Sequence, residues 1–189
     1  VFQVFDVKDP CNPQLIPGSV RPTAQQIGDL AVHDGYAYLA NDADGLSVFD
    51  LSNPEAPQFV TSRRDGGVFA HSIFHSGGDF VYVGYNWQPS NLAIYDVSGL
   101  PSLPLPAPTL YDVVGNQVAD VEVAEGRAYV VSQFVGCGNG TGDFCVEIAN
   151  VETPTSPSTL SHVVLPRTSH GALGEMRVAR TRQVFDRTD

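Results

Sequence analysis

Residues 34–62 read Asp34-Gly35-Tyr36-Ala37-Tyr38-Leu39-Ala40-Asn41-Asp42-Ala43-Asp44-Gly45-Leu46-Ser47-Val48-Phe49-Asp50-Leu51-Ser52-Asn53-Pro54-Glu55-Ala56-Pro57-Gln58-Phe59-Val60-Thr61-Ser62. Short runs of aliphatic and aromatic residues alternate here with turn-forming residues. Asp34-Gly35 admits positive φ and suits a tight hairpin. Asp50 can accept a hydrogen bond from a backbone N–H two residues on, while Pro54 and Pro57 fix φ and stop a strand from continuing. With the residues just before it, the stretch predicts four strands, Asp29–His33, Tyr36–Asn41, Leu46–Leu51 and Gln58–Ser62. Together they form an antiparallel meander of about 44 residues.

The same pattern recurs along the chain. Val4-Phe5-Asp6 is followed by Pro10 and Pro13 with the spacing that links Val48-Phe49-Asp50 to Pro54 and Pro57. Asn150 with Pro154 and Pro157 keeps that spacing, with Asn in place of Asp, and Ile94-Tyr95-Asp96 followed by Pro101 is a looser copy. The four anchors lie 44, 46 and 54 residues apart. Each interval also holds an Ala/Val-Tyr-aliphatic triplet after a turn dipeptide: Ala37-Tyr38-Leu39 after Asp34-Gly35, Val81-Tyr82-Val83 after Gly77-Gly78, and Ala128-Tyr129-Val130 after Glu125-Gly126. Four-stranded units repeating at this period are the pattern of propeller blades, which bury their faces against one another. The expected fold is all-β, a β-propeller of four-stranded antiparallel blades, spanning about four blades' worth of chain. Its divisions are a partial blade over 1–20, blades over 27–65, 69–115 and 118–165, and a degenerate partial blade over 168–189. Because the repeat opens at a third strand and loses its pattern after His170, the reading favours an arc of a larger propeller over a closed ring.

Composition agrees with a turn-rich, folded chain. Its 189 residues hold 18 glycines and 14 prolines, yet 42% of residues are hydrophobic, enough for one core but not comfortably for two. The net charge is −11, so a phosphate backbone would be repelled and nucleic acid is not an expected partner. The balance is uneven, with five arginines against three acids in residues 161–189. No apolar run approaches the roughly 18 residues that cross a bilayer, so direct membrane insertion is not expected.

The segment Gly45-Leu46-Ser47-Val48-Phe49-Asp50-Leu51-Ser52-Asn53-Pro54, with Gly35-Tyr36-Ala37-Tyr38-Leu39-Ala40 before it, resembles the LVIVD-repeat proteins. Ala70-His71-Ser72-Ile73-Phe74 is similar to the related choice-of-anchor repeats. The resemblance covers about residues 1–165 and is looser near Pro101–Pro108. It implies a β-propeller and an exported setting: extracellular, cell-surface or periplasmic. It carries no established reaction, so no catalytic residue follows from it.

Cys137 and Cys145 bracket a glycine-rich insertion, and two cysteines at the base of a hairpin reach disulfide geometry when the strands pair there. Such a bridge persists outside the cytosol; two free thiols are the alternative, and Cys11 is left without a counterpart. Asn139-Gly140-Thr141 also fits the N-glycosylation pattern.

Aligning the repeats places Asp29, His71, Asp120 and His170 at the start of each blade's first strand, which lines the channel of a propeller. Imidazole and carboxylate together suit a divalent metal or proton transfer. The plainer alternative is that these polar groups satisfy strand ends and channel water. On the same rim, Asn41-Asp42-Ala43-Asp44-Gly45 reads as an Asx turn that lacks a full calcium-ligand spacing. Tyr85, Trp87 and Asn91 form a loop with the chain's one tryptophan, suited to stacking on a sugar or gripping a protein. His33 and His75, beside hairpin turns, are expected to be solvated.

Phosphate-cradling loops and nucleophile-elbow motifs are absent, so the chain is not expected to be an enzyme, and no cofactor is expected. The favoured function is a binding scaffold that takes a protein or glycan partner through rim loops containing Asn41, Asp42, Asp44, Tyr85, Trp87 and Asn91. The alternative is a metal-dependent propeller enzyme using the Asp/His ring.

Overall fold

A computed structural model describes residues 1–23, 25–66, 68–87, 90–133 and 144–165. Among them are fourteen strands and no helix: β1 (Phe5–Asp6), β2 (Gln14–Leu15), β3 (Asp29–His33), β4 (Tyr36–Ala40), β5 (Leu46–Asp50), β6 (Gln58–Arg63), β7 (Phe69–His75), β8 (Phe80–Asn86), β9 (Leu92–Asp96), β10 (Thr109–Tyr111), β11 (Gln117–Ala124), β12 (Arg127–Gln133), β13 (Phe144–Asn150) and β14 (Ser158–Leu165). The four strands read from Asp29 to Ser62 are found to within one residue at each end.

All pairings are antiparallel and follow chain order within each unit. β1 and β2 form a hairpin with Phe5 opposite Leu15. β3 to β6 form a four-stranded blade. β7 to β10 and β11 to β14 are two further meanders, fused into one curled sheet by a single pair, Gln117 opposite Asn86. β7 touches both β3 and β11, so the first strands of successive blades stand side by side. This is the radial arrangement of a β-propeller, here a partial one.

Local chemistry explains why the strands end where they do. Asp34 and Gly35 have φ of 45° and 77°, and Glu125 and Gly126 have 51° and 71°. Two successive positive φ values match the turn whose twist suits a two-residue hairpin. The repeated acidic anchor is an Asx turn each time. Oδ1 of Asp6, Asp50, Asp96 and Asn150 accepts the backbone N–H two residues on, from Lys8, Ser52, Ser98 and Glu152, at 2.7–2.9 Å. Only one carbonyl-type oxygen is used, so Asn150 serves as well as an aspartate.

The core lies in the seams between blades. On β4, Ala37–Ala40 are buried on both faces, as are Val81–Asn86 on β8, because each middle strand is covered on either side by a neighbouring unit. Tyr38, Ala40, Leu46 and Val48 of the Asp29–Arg63 blade pack with Ile73, Val83, Tyr85 and Tyr95 of the next. Tyr82, Leu92 and Ile94 pack in turn with Val118, Val121, Val123 and Val130. Each such side chain contributes about 1.5–3 kcal/mol on full burial, so the blades stabilise one another. A Cβ on Gly84 would sit 2.4 Å from a Val118 methyl, so only glycine lets β8 and β11 approach this closely. No described helix is long and apolar enough to cross a membrane.

Candidate functional site

The rim of interest is the edge where second strands end and first strands of the following blade begin. The backbone does the same work there twice. Asp42, just past β4, forms an isolated bridge with Ala70 of the next blade, whose N–H donates to the Asp42 carbonyl at 2.9 Å. Asn86, at the end of β8, pairs with Gln117 of the blade after that, and Trp87 N–H donates to the Asn116 carbonyl at 2.6 Å. These links fix the rim loops to two blades at once, so whatever they present is held rigidly.

The Asn41–Gly45 loop is tied by its own hydrogen bonds. Asn41 N–H donates to the Gly45 carbonyl at 2.8 Å, and Asp44 N–H donates to the Asn41 carbonyl at 2.9 Å. Asn41 Nδ2 donates to Ser47 Oγ at 3.0 Å, while its Oδ1 is buried without a partner. Asp42 takes a left-handed φ of 45°, which an Asx side chain tolerates. Asn41 is buried, and Asp42 and Asp44 are half-buried.

The aromatic loop divides sharply. Tyr85 is fully buried, its hydroxyl 2.7 Å from that of Tyr95, and burial pushes its ionisation far above the ordinary range. Asn91 is buried too. It donates to the Gly115 carbonyl at 2.7 Å and accepts from Val113 N–H at 2.9 Å. These two expected binding residues hold the blade together instead, because the strand-end positions they occupy face the neighbouring unit. Trp87 remains at the surface, 53% exposed, with a left-handed φ of 71°. Near it lies a band of amides. Gln133 Nε2 donates to Gln117 Oε1 at 2.8 Å, and the Oδ1 atoms of Asn86 and Asn116 are buried without a partner. An exposed indole suits recognition by stacking.

The Asp/His set is placed less uniformly than the repeat alignment expects. Cross-strand pairing puts Asp29 opposite Ala40, Ser72 opposite Gly84 and Asp120 opposite Val131. The connection from His75 to Phe80 is longer than the two-residue turns Asp34-Gly35 and Glu125-Gly126, so Ser72 takes the position of Asp29 and Asp120, and His71, which is exposed, falls one position out of line on the bulge between Ala70 and Ser72. Asp29 is already engaged: Oδ1 accepts Leu30 N–H at 2.8 Å, and Oδ2 accepts Ile73 N–H of the next blade at 3.1 Å. Asp120 Oδ1 accepts Val121 N–H at 2.9 Å. A metal bound to Asp29 would compete with that inter-blade bond. Among the described residues, no group of three or more His, Cys, Asp or Glu is placed to hold a metal ion.

Cys137, the Asn139–Thr141 pattern and His170 lie outside the described residues. Cys145 is buried on β13, and Cys11 is a free, exposed thiol. The histidines expected to be solvated are not: His33 and His75 are both half-buried and stack on each other across a seam, centroids 4.1 Å apart. Nothing in the spacing of His33 and His75 signals this contact, which arises only when two hairpins are brought together by blade packing.

No curated protein matches the sequence. Among solved structures, the chain is similar to one from S. cerevisiae, described as Dbp5 bound to Nup159, Gle1, IP6 and ADP, with a TM-score of 0.49 and 9% identity over 83% of this chain. It spans 44% of that chain's length. Residues 26–64, which contain the blade built from β3 to β6, match the family described as the LVIVD repeat, and the described strands around that blade have the arrangement of a partial β-propeller.

Proposed function

We propose that this chain acts as a non-catalytic binding scaffold, exported or displayed at a cell surface, that takes a protein or glycan partner on its second-strand rim. The observation that carries the reading is Trp87. A large aromatic side chain is 53% exposed on a backbone held at φ 71°, although burying it would be favourable by several kcal/mol. Its loop is anchored to the following blade through Asn116, so the indole is presented without a large ordering cost. A Cys137–Cys145 bridge belongs to the same reading, since it would brace the neighbouring insertion in an oxidising compartment.

The test compares wild type with Trp87→Ala for capture of a panel of oligosaccharides and of surface proteins. The expected result is a loss of at least about tenfold in affinity, the scale of one aromatic anchor, with a melting temperature close to wild type. Undiminished capture by the variant, or no capture by wild type, would overturn the reading.

A further inference from the structure

His33 ends the first strand of one blade and His75 ends the first strand of the next. Their rings lie 28° from parallel with centroids 4.1 Å apart, and the Tyr38 ring is 5.0 Å from that of His75. Two contacts limit the protonation states this arrangement admits. Gly77 N–H donates to His75 Nδ1 at 3.0 Å, so that nitrogen carries no proton and the ring is the neutral Nε2–H tautomer. His33 Nε2 is 3.2 Å from Asp34 Oδ2, which requires a proton on that nitrogen.

A proton added to His75 must go to Nδ1. The Gly77 bond is then replaced by two opposed N–H groups, and a cation is set in the seam against the His33 ring. Asp34 and Asp79 face His75 and favour the charged form. Burial, with His33 adding to it, outweighs them and holds His75 down to about 4. His33, Asp34, Tyr38 and Asp79 are thus the charged or titratable groups facing it from β3, its turn, β4 and the turn before β8.

We propose that the His33–His75 stack is an acid-sensitive latch between two successive blades: protonation of His75 breaks the Gly77 bond, unstacks the rings and frees the β7–β8 hairpin tip from the β3–β4 hairpin. The direction follows from linkage. His75 titrates lower in the fold than its ordinary 6.5, so the unfolded chain binds a proton that the fold refuses. Stability is lost as pH falls from about 6.5 to about 4, and this group adds no further loss below that.

An imidazole NMR titration of the whole chain, with amide hydrogen exchange at pH 7 and pH 4.5, tests the latch. His75 is expected to titrate at least about one pH unit below a free histidine. Protection of the Gly77 amide, corrected for intrinsic rate, is expected to fall at least about tenfold at pH 4.5, the change in opening equilibrium that such a displaced titration implies. His75→Phe keeps an aromatic ring against His33 and removes the proton site. The drop in melting temperature between pH 7 and pH 4.5 should then shrink by about 3 °C or more. A His75 midpoint at or above 6.5, unchanged Gly77 protection, or a full acid drop in the variant would each overturn the proposal. If His75→Phe does not fold, the wild-type titration and exchange decide the matter alone.

Discussion

Asp50 illustrates what a single side chain contributes to each repeat. Its Oδ1 accepts Ser52 N–H at 2.7 Å while Leu51 N–H donates to the Gly35 carbonyl at 2.7 Å, so strand end and hairpin turn are fixed together. The work is done by a neutral-type acceptor, as Asn150 shows at the equivalent site with a 2.9 Å bond to Glu152 N–H. Asp50→Ala should therefore cost about 1 kcal/mol in urea unfolding, the usual size of such a bond, whereas Asp50→Asn should stay within about 0.5 kcal/mol of wild type. Equal losses in both variants would mean that the charge, not the turn, matters. This role was legible in the sequence, because turn chemistry depends on neighbours two residues away. The roles of Tyr85 and Asn91 were not legible, because their burial depends on Tyr95, Val113 and Gly115, which adjoin them only after the meander has folded.

At the level of strands, hydrophobic runs and turn dipeptides located the blade from β3 to β6 almost residue for residue, since both signals are local. Register was less accessible. The longer connection from His75 to Phe80 sets Ser72, not His71, at the position of Asp29 and Asp120, and the bulge that then receives His71 leaves no mark in a string of strand-forming residues. Strands β4, β8 and β9 also share a property that pattern alone does not quantify, their load of buried tyrosine. Burial raises Tyr38 on β4, Tyr82 on β8 and Tyr95 on β9 to about 12, and raises Tyr111 on β10 to about 12 with help from its bond to Glu147. A phenol raised in the fold contributes stability that is complete below its ordinary value near 10 and is lost as pH climbs toward 12. The protein should thus unfold between about pH 10 and pH 12, with tyrosinate absorbance appearing together with the loss of β-sheet circular dichroism. Phenols that ionise near 10 while the sheet signal persists would show that these seams are open to solvent.

For the molecule as a whole, the blades provide an internal control on what inter-blade packing is worth. Leu30, Ile73 and Val121 occupy one register position, opposite Leu39, Val83 and Val130, and Val32 and Val123 occupy another, opposite Ala37 and Ala128. Ile73, Val121 and Val123 are buried against the blade in front of them, at 5%, 1% and 8% exposure. In the first complete blade the same positions are open, Leu30 at 49% and Val32 at 59%, because the β1–β2 hairpin does not reach over β3. One substitution made at two equivalent sites then separates seam burial from strand propensity. Val→Thr keeps the β-branched shape, so backbone preference is nearly unchanged, and only the environment of the new hydroxyl differs. Val123→Thr buries that hydroxyl among Val121, Val113 and Tyr82 and should cost about 1–3 kcal/mol in urea unfolding. Val32→Thr should cost less than about 0.5 kcal/mol. Equal costs, growing with protein concentration for Val32→Thr, would show instead that another chain covers this face in solution.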